Sequence, residues 1–159
     1  MITPIIILIL LSSPLLVMWV IGKIKGTNIN KRKYAFWGLG AAFVFFSIGH
    51  FVKTDGMIEM LPSWVPFRLE LIYATGVLEV FVGISLFISR LQRKAAFLAI
   101  VILVVFFPAN IYAAMYGIGL GGHQWGPVYL LVRAPLQIIL IAWAYCLCIK
   151  NISNSKEKY

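Results

Sequence analysis

Charge is what this chain has least of. Only 12% of its 159 residues are Asp, Glu, Lys or Arg, against 62% hydrophobic residues and a mean hydropathy of +0.94. A soluble domain of this size could not cover so much apolar surface, so that class is excluded and lipid is the expected solvent. Cysteine and histidine are scarce too, with two of each. Cys146 and Cys148 stand two positions apart, which on a helix turns them about 200° from one another. That suits neither a shared metal nor a disulfide, and apolar filling is their expected role. With two distant histidines and no Cys/His cluster, no metal site is expected. Internal repeats and low-complexity segments are lacking as well. The first apolar run has no basic n-region and no clear small-residue cleavage site, and a basic cluster follows it at once. It therefore reads as a retained span rather than a secretory signal.

What is present is five apolar runs, at about 3–22, 34–53, 68–89, 95–116 and 128–149, each close to the ~20 residues that cross a hydrocarbon core. The predicted fold is an all-α membrane protein with five transmembrane helices and short connections. Residues 1–33 form an N-terminal span and basic loop, 34–149 a four-helix membrane domain, and 150–159 a polar tail. Pro4 and Pro14 make the first span a bent or loosely packed helix at the periphery.

A formal charge of +9 invites a nucleic-acid reading, but the basic residues sit at the ends of the apolar runs. Lys23, Lys25, Lys31, Arg32, Lys33, Arg90, Arg93, Lys94, Lys150, Lys156 and Lys158 all fall on one side, against Lys53 and Arg68 on the other. That bias marks topology, with the N-terminus outside and the C-terminus cytoplasmic. A multi-pass membrane protein follows, with the bilayer as partner and no nucleic acid.

Ionisable and polar groups inside a membrane are costly, so each is a functional candidate. His50, Glu79, Asn110, Arg133 and Gln137 lie on four different spans. At ~1.5 Å of rise per residue they fall roughly 5–16 Å below the outer surface, in one half of the bilayer. Glu79 shares its helix face with Thr75, Gly76 and Gly83, and Asn110 shares its own with Ala113, Ala114 and Gly117. Arg133 and Gln137 are one turn apart. Glu70 faces away from Glu79 and is expected at the rim, or paired with Arg68 or Lys53. Pro108 and Pro135 free the carbonyls of Val104 and Leu131, and both breaks adjoin polar side chains. Such breaks are tolerated where neighbours, water or a cavity satisfy the freed groups. The expectation is a polar pocket opening outward, walled by spans two to five.

Bland readings stand beside each sharp one. Arg133 either snorkels to the surface or pairs inward with Glu79. Glu79 is protonated or paired, in a structural bridge to Arg133 or Gln137 or as a catalytic carboxylate. Asn110 is interhelical glue or a ligand contact, and His50 a neighbour's hydrogen-bond partner or a proton-handling group. The segment KTDGMIEMLPSWVP, residues 53–66, can form a short helix with Met57, Met60, Leu61, Trp64 and Val65 on one side and Asp55 and Glu59 in water. It is a lid over the pocket or an interfacial anchor. In the glycine-rich loop 117–127, His123, Gln124 and Trp125 are further candidates for the mouth.

The order GHF (49–51), MLPSWVP (60–66), YATGVLE (73–79), FPANIYAA (107–114) and RAPLQ (133–137) resembles the DoxX-like bacterial membrane proteins over roughly residues 36–145. The resemblance implies a four-helix core with the first span as an addition. It implies little chemistry: some such proteins are associated with quinone-linked sulfur oxidation, others with oxidative-stress complexes. His50, Glu79, Asn110, Arg133 and Gln137 are the matching positions.

Three functions compete. The first is a redox-associated subunit whose pocket holds a quinone between Phe43, Phe46, Phe106, Phe107 and Tyr112; no cofactor of its own is expected, and electrons come from a partner subunit. The second is a small-metabolite or proton carrier working through Glu79 and Arg133, expected as a homo-oligomer. The third is a non-catalytic assembly or scaffold subunit locked by its polar set.

Overall fold

The computed structural model describes residues 2–118 and 123–150, the latter without the side chains of His123 and Gln124. The polar tail beyond residue 150, the centre of the glycine-rich loop and the side chains of His123 and Gln124 as mouth candidates therefore lie outside the described residues. Among these residues there is no strand. Helices run α1 (Ile2–Lys25), α2 (Lys31–Val52), α3 (Thr54–Glu59), α4 (Arg68–Phe87), α5 (Gln92–Tyr116) and α6 (Leu130–Trp143). A 3₁₀ segment (His123–Tyr129), kinked at Gly126, leads into α6, and a π-helical stretch (Ala144–Lys150) continues it.

Five helical stretches are long and apolar enough to cross a membrane: α1, α2, α4, α5 and the continuous run Trp125–Lys150. Helices satisfy every interior backbone group within the segment, which lipid demands. Their ends follow local chemistry. Asn30 caps α2 by accepting from the Lys33 amide at 3.2 Å. Gly117, at φ +63°, ends α5 in the left-handed conformation that glycine adopts freely. The Gln92 side chain donates to the Leu86 carbonyl at 3.0 Å, satisfying an acceptor in the last turn of α4.

The helices pack through small residues. α2 and α4 form the most extensive contact, where a Cβ on Gly83 would lie 2.9 Å from Val44 and one on Gly40 would lie 3.0 Å from the Gly83 carbonyl. In lipid the hydrophobic effect does not drive helices together, so such close approach supplies the association energy. Gly38 presses α2 against the Leu11 carbonyl of α1 in the same way. α1 is the least buried of the five. At the far side of the bundle the Trp143 indole donates to the Ala35 carbonyl at 3.1 Å, joining α6 to α2.

The buried apolar cluster gathers the start of α2 (Ala35, Phe36, Leu39), the end of α4 (Leu86), the start of α5 (Ala96, Ala99) and the end of the last span (Ala144, Cys148), and it reaches through Ile7, Ile102, Leu103, Leu136 and Leu140 toward the other end of the bundle. Cys148 is buried there and Cys146 exposed, as their spacing predicts.

Candidate functional site

The other end of the bundle is hollow. A cavity of about 550 Å³ lies between the end of α2, the start of α4, the second half of α5 and the start of α6. His50, Glu79, Asn110, Arg133 and Gln137 all line it. The convergence expected from depth and helix face is therefore present. The wall is wider than expected: α1 contributes Thr3 and Ile7, in addition to spans two to five.

The partners inside the cavity differ from those anticipated. Glu79 does not bridge to Arg133 or Gln137. Its Oε2 lies 3.3 Å from His50 Nε2, and both residues are buried. The contact is at ion-pair distance without hydrogen-bond alignment, so Glu79 Oε2 remains a buried acceptor lacking a hydrogen bond. Gly76 makes the pairing possible. A Cβ there would stand 2.7 Å from the Cβ of His50, so only glycine lets the ring settle against α4. The ring is fixed from its other side. Nδ1 lies 3.0 Å from the Ile72 carbonyl oxygen and 3.2 Å from Thr75 Oγ1. Thr75 in turn donates to its own helix, at 2.8 Å from the Leu71 carbonyl. His50 and Glu79 fall 29 positions apart on different helices, which is why neither periodicity nor depth singled out their contact.

Arg133 points inward and does not snorkel. Its Nε is buried without an acceptor, and the fully buried Tyr129 is its hydrogen-bonding neighbour. Tyr129 also lines the cavity and is absent from the sequence-based set. Its position four residues before Arg133, one turn away on the same face, is the signal that could have found it.

The two amides serve the disturbed helix. Pro108 was expected to expose the Val104 carbonyl; the acceptors in use are its neighbours. Gln137 crosses from α6 to donate to the Leu103 carbonyl, and Asn110 donates to Phe106, four residues back, at 3.1 Å. Gln137 is thus the interhelical link, and Asn110 braces its own helix while lining the cavity. The mouth carries Met57, Met60 and Leu61 from the 53–66 segment, together with Lys53. Asp55 and Glu59 face outward, and Trp64 is 80% exposed. One segment therefore lines the mouth with its methionines while presenting an aromatic to the surroundings. Trp125 is exposed and does not line the cavity. Among the expected aromatic walls, Phe46 and Phe106 line the cavity, joined by Phe45; Phe43 instead belongs to the buried cluster. Glu70 is exposed at the start of α4, and no ion pair to Arg68 or Lys53 is found among the described residues.

Among the described residues no group of three His, Cys, Asp or Glu side chains is placed to hold a metal. The family model for a domain of unknown function, DUF8561, matches residues 39–148, which takes in His50, Glu79, Asn110, Arg133 and Gln137 and leaves α1 outside. The chain belongs to that family. Comparison with curated proteins and with solved structures gave no match.

Proposed function

We propose that this DUF8561 protein is an inner-membrane binding protein for a small lipid-soluble molecule, held in the outer half of the bilayer. The observation that carries the reading is the gathering of five polar side chains around one largely apolar cavity. A volume of about 550 Å³ is within the range of small-molecule sites. The polar head of the ligand would meet His50, Asn110 and Arg133, and its body would lie against Phe45, Phe46 and the methionines. The DoxX-like resemblance makes a redox-associated subunit the first form of this function. In that form a quinone occupies the pocket and a partner subunit supplies electrons. The orientation, with the cavity facing outward, rests on the basic residues within 23–33 and 90–94 and on Lys150, at the opposite end among the described residues.

One observation favours a second reading, a scaffold subunit: Gln137 and Asn110 both direct their amides to α5 carbonyls, a bracing role. Mass spectrometry of small molecules extracted from the purified protein separates the two. A binding protein carries a lipid-soluble molecule, or takes up added quinone, and Arg133→Gln reduces its occupancy by about tenfold, the loss of one charge-assisted contact. A scaffold carries none in either form.

A further inference from the structure

Three charged or titratable groups reach the interior of the cavity, His50 from α2, Glu79 from α4 and Arg133 from α6, with the phenol of Tyr129 beside them. Lys53 stands at the mouth, and α1 and α5 bring no ionisable group. Hydrogen-bond chemistry fixes the charge these groups present. The carbonyl oxygen of Ile72, 3.0 Å from His50 Nδ1, can only accept, so Nδ1 carries a hydrogen. In the neutral ring Nε2 is then a bare acceptor, and it faces Glu79 Oε2 at 3.3 Å. A ring that carries hydrogens on both nitrogens meets the Glu79 carboxylate there as an opposite charge, and the two compensate one another. Arg133 is then the interior charge left over. A guanidinium stays protonated in proteins. Glu79 acts on it through space, but no carboxylate lies within ion-pair distance of it among the described residues, its Nε has no acceptor, and its hydrogen-bonding neighbour Tyr129 is a phenol.

We propose that the pocket takes an anionic amphiphile, a single hydrocarbon chain ending in a carboxylate. The inference rests on the binding function above and adds the ligand's charge, favouring an anion over a neutral quinone ring. A carboxylate matches the fork geometry of arginine and supplies the missing acceptor. Lys53 adds the same sign at the entrance. Ile7, Phe45, Phe46, Leu136 and Leu140 give the chain an apolar bed, and the cavity volume suits one chain rather than two.

Radiolabelled dodecanoate binding to the detergent-purified full chain tests this, with methyl dodecanoate, benzoate and a short-chain quinone as competitors. The expected result is that the methyl ester competes about tenfold more weakly than the acid, the ratio for one charge-assisted hydrogen bond. Arg133→Gln should weaken the acid more than the ester and so abolish that preference, and Arg133→Lys should retain part of it. Should Arg133→Gln fail to fold, the acid-to-ester ratio in the wild type and in Arg133→Lys still decides. Equal competition by acid and ester in the wild type overturns the anionic assignment and leaves the binding function standing. Benzoate competing as well as dodecanoate overturns the chain and assigns a water-borne carboxylate. Binding of none of these ligands, the quinone included, overturns the binding function itself.

Discussion

The two ends of this bundle use the same helices in opposite ways. Where α2 begins and α4 ends, Ala35, Ala96 and Ala99 pack with Phe36, Leu39 and Leu86, and all six are buried. Where α2 ends and α4 begins, the helices stay in contact through Gly76, yet the interior holds His50, Glu79, Asn110, Gln137 and a cavity. The first end derives its stability from close packing, since lipid gives apolar helices little reason to associate otherwise. The second derives it from hydrogen bonds that are strong because little water competes for them, and that are costly when broken. A membrane bundle of this kind can thus be rigid at one end and receptive at the other without a separate binding domain.

Three sets of substitutions test that division. The largest loss is expected from Gly38→Val, because the new side chain meets the backbone carbonyl of Leu11, which cannot rotate away. Overpacking typically costs about 1–3 kcal/mol, and a backbone clash belongs at or above the top of that range. Thermal unfolding in detergent should show it, with α1 becoming accessible to protease; an unchanged melting temperature would refute tight packing as the source of stability. Glu79→Leu comes next. It strands His50 Nε2 beside an apolar group, for a loss of about 1–3 kcal/mol, and Glu79→Gln should recover part of it by restoring a polar partner. If leucine proved as stable as glutamine, the polar end would be held by packing as well, and the contrast would vanish. The smallest effect is expected for Met57→Ala with Met60→Ala. Both side chains are half-buried over the mouth, so stability should fall by less than about 2 kcal/mol, well short of a core truncation. Ligand exchange should become faster, which stopped-flow displacement of a bound fluorescent ligand would measure.

The pocket residues were legible because polar groups are rare in a chain of this composition, and a rise of ~1.5 Å per residue places each at a depth. Their pairings were not. Glu79 was assigned to Arg133 or Gln137 by depth and charge, but the contact it makes is with His50. The shift came from Gly76, whose missing side chain lets α2 approach α4 more closely than average helix spacing allows. Pro108 removes the donor for the Val104 carbonyl, yet the carbonyls that accept side-chain amides are Leu103 and Phe106. Tyr129 was passed over because a tyrosine near the end of a span reads as an interfacial aromatic, and its burial depends on how the 3₁₀ segment folds back.

Sequence alone determined that five apolar stretches would be helices, where they would end, and which few polar residues lay at a common depth. Those properties follow from hydrogen-bond satisfaction in lipid and from the fixed geometry of a helix, both local to each segment. Only the tertiary structure decided which polar atoms meet, that α1 joins the wall, and that the space between them stays hollow. Such contacts depend on interhelical distance and rotation, which are set by small residues pressing on side chains from elsewhere in the chain.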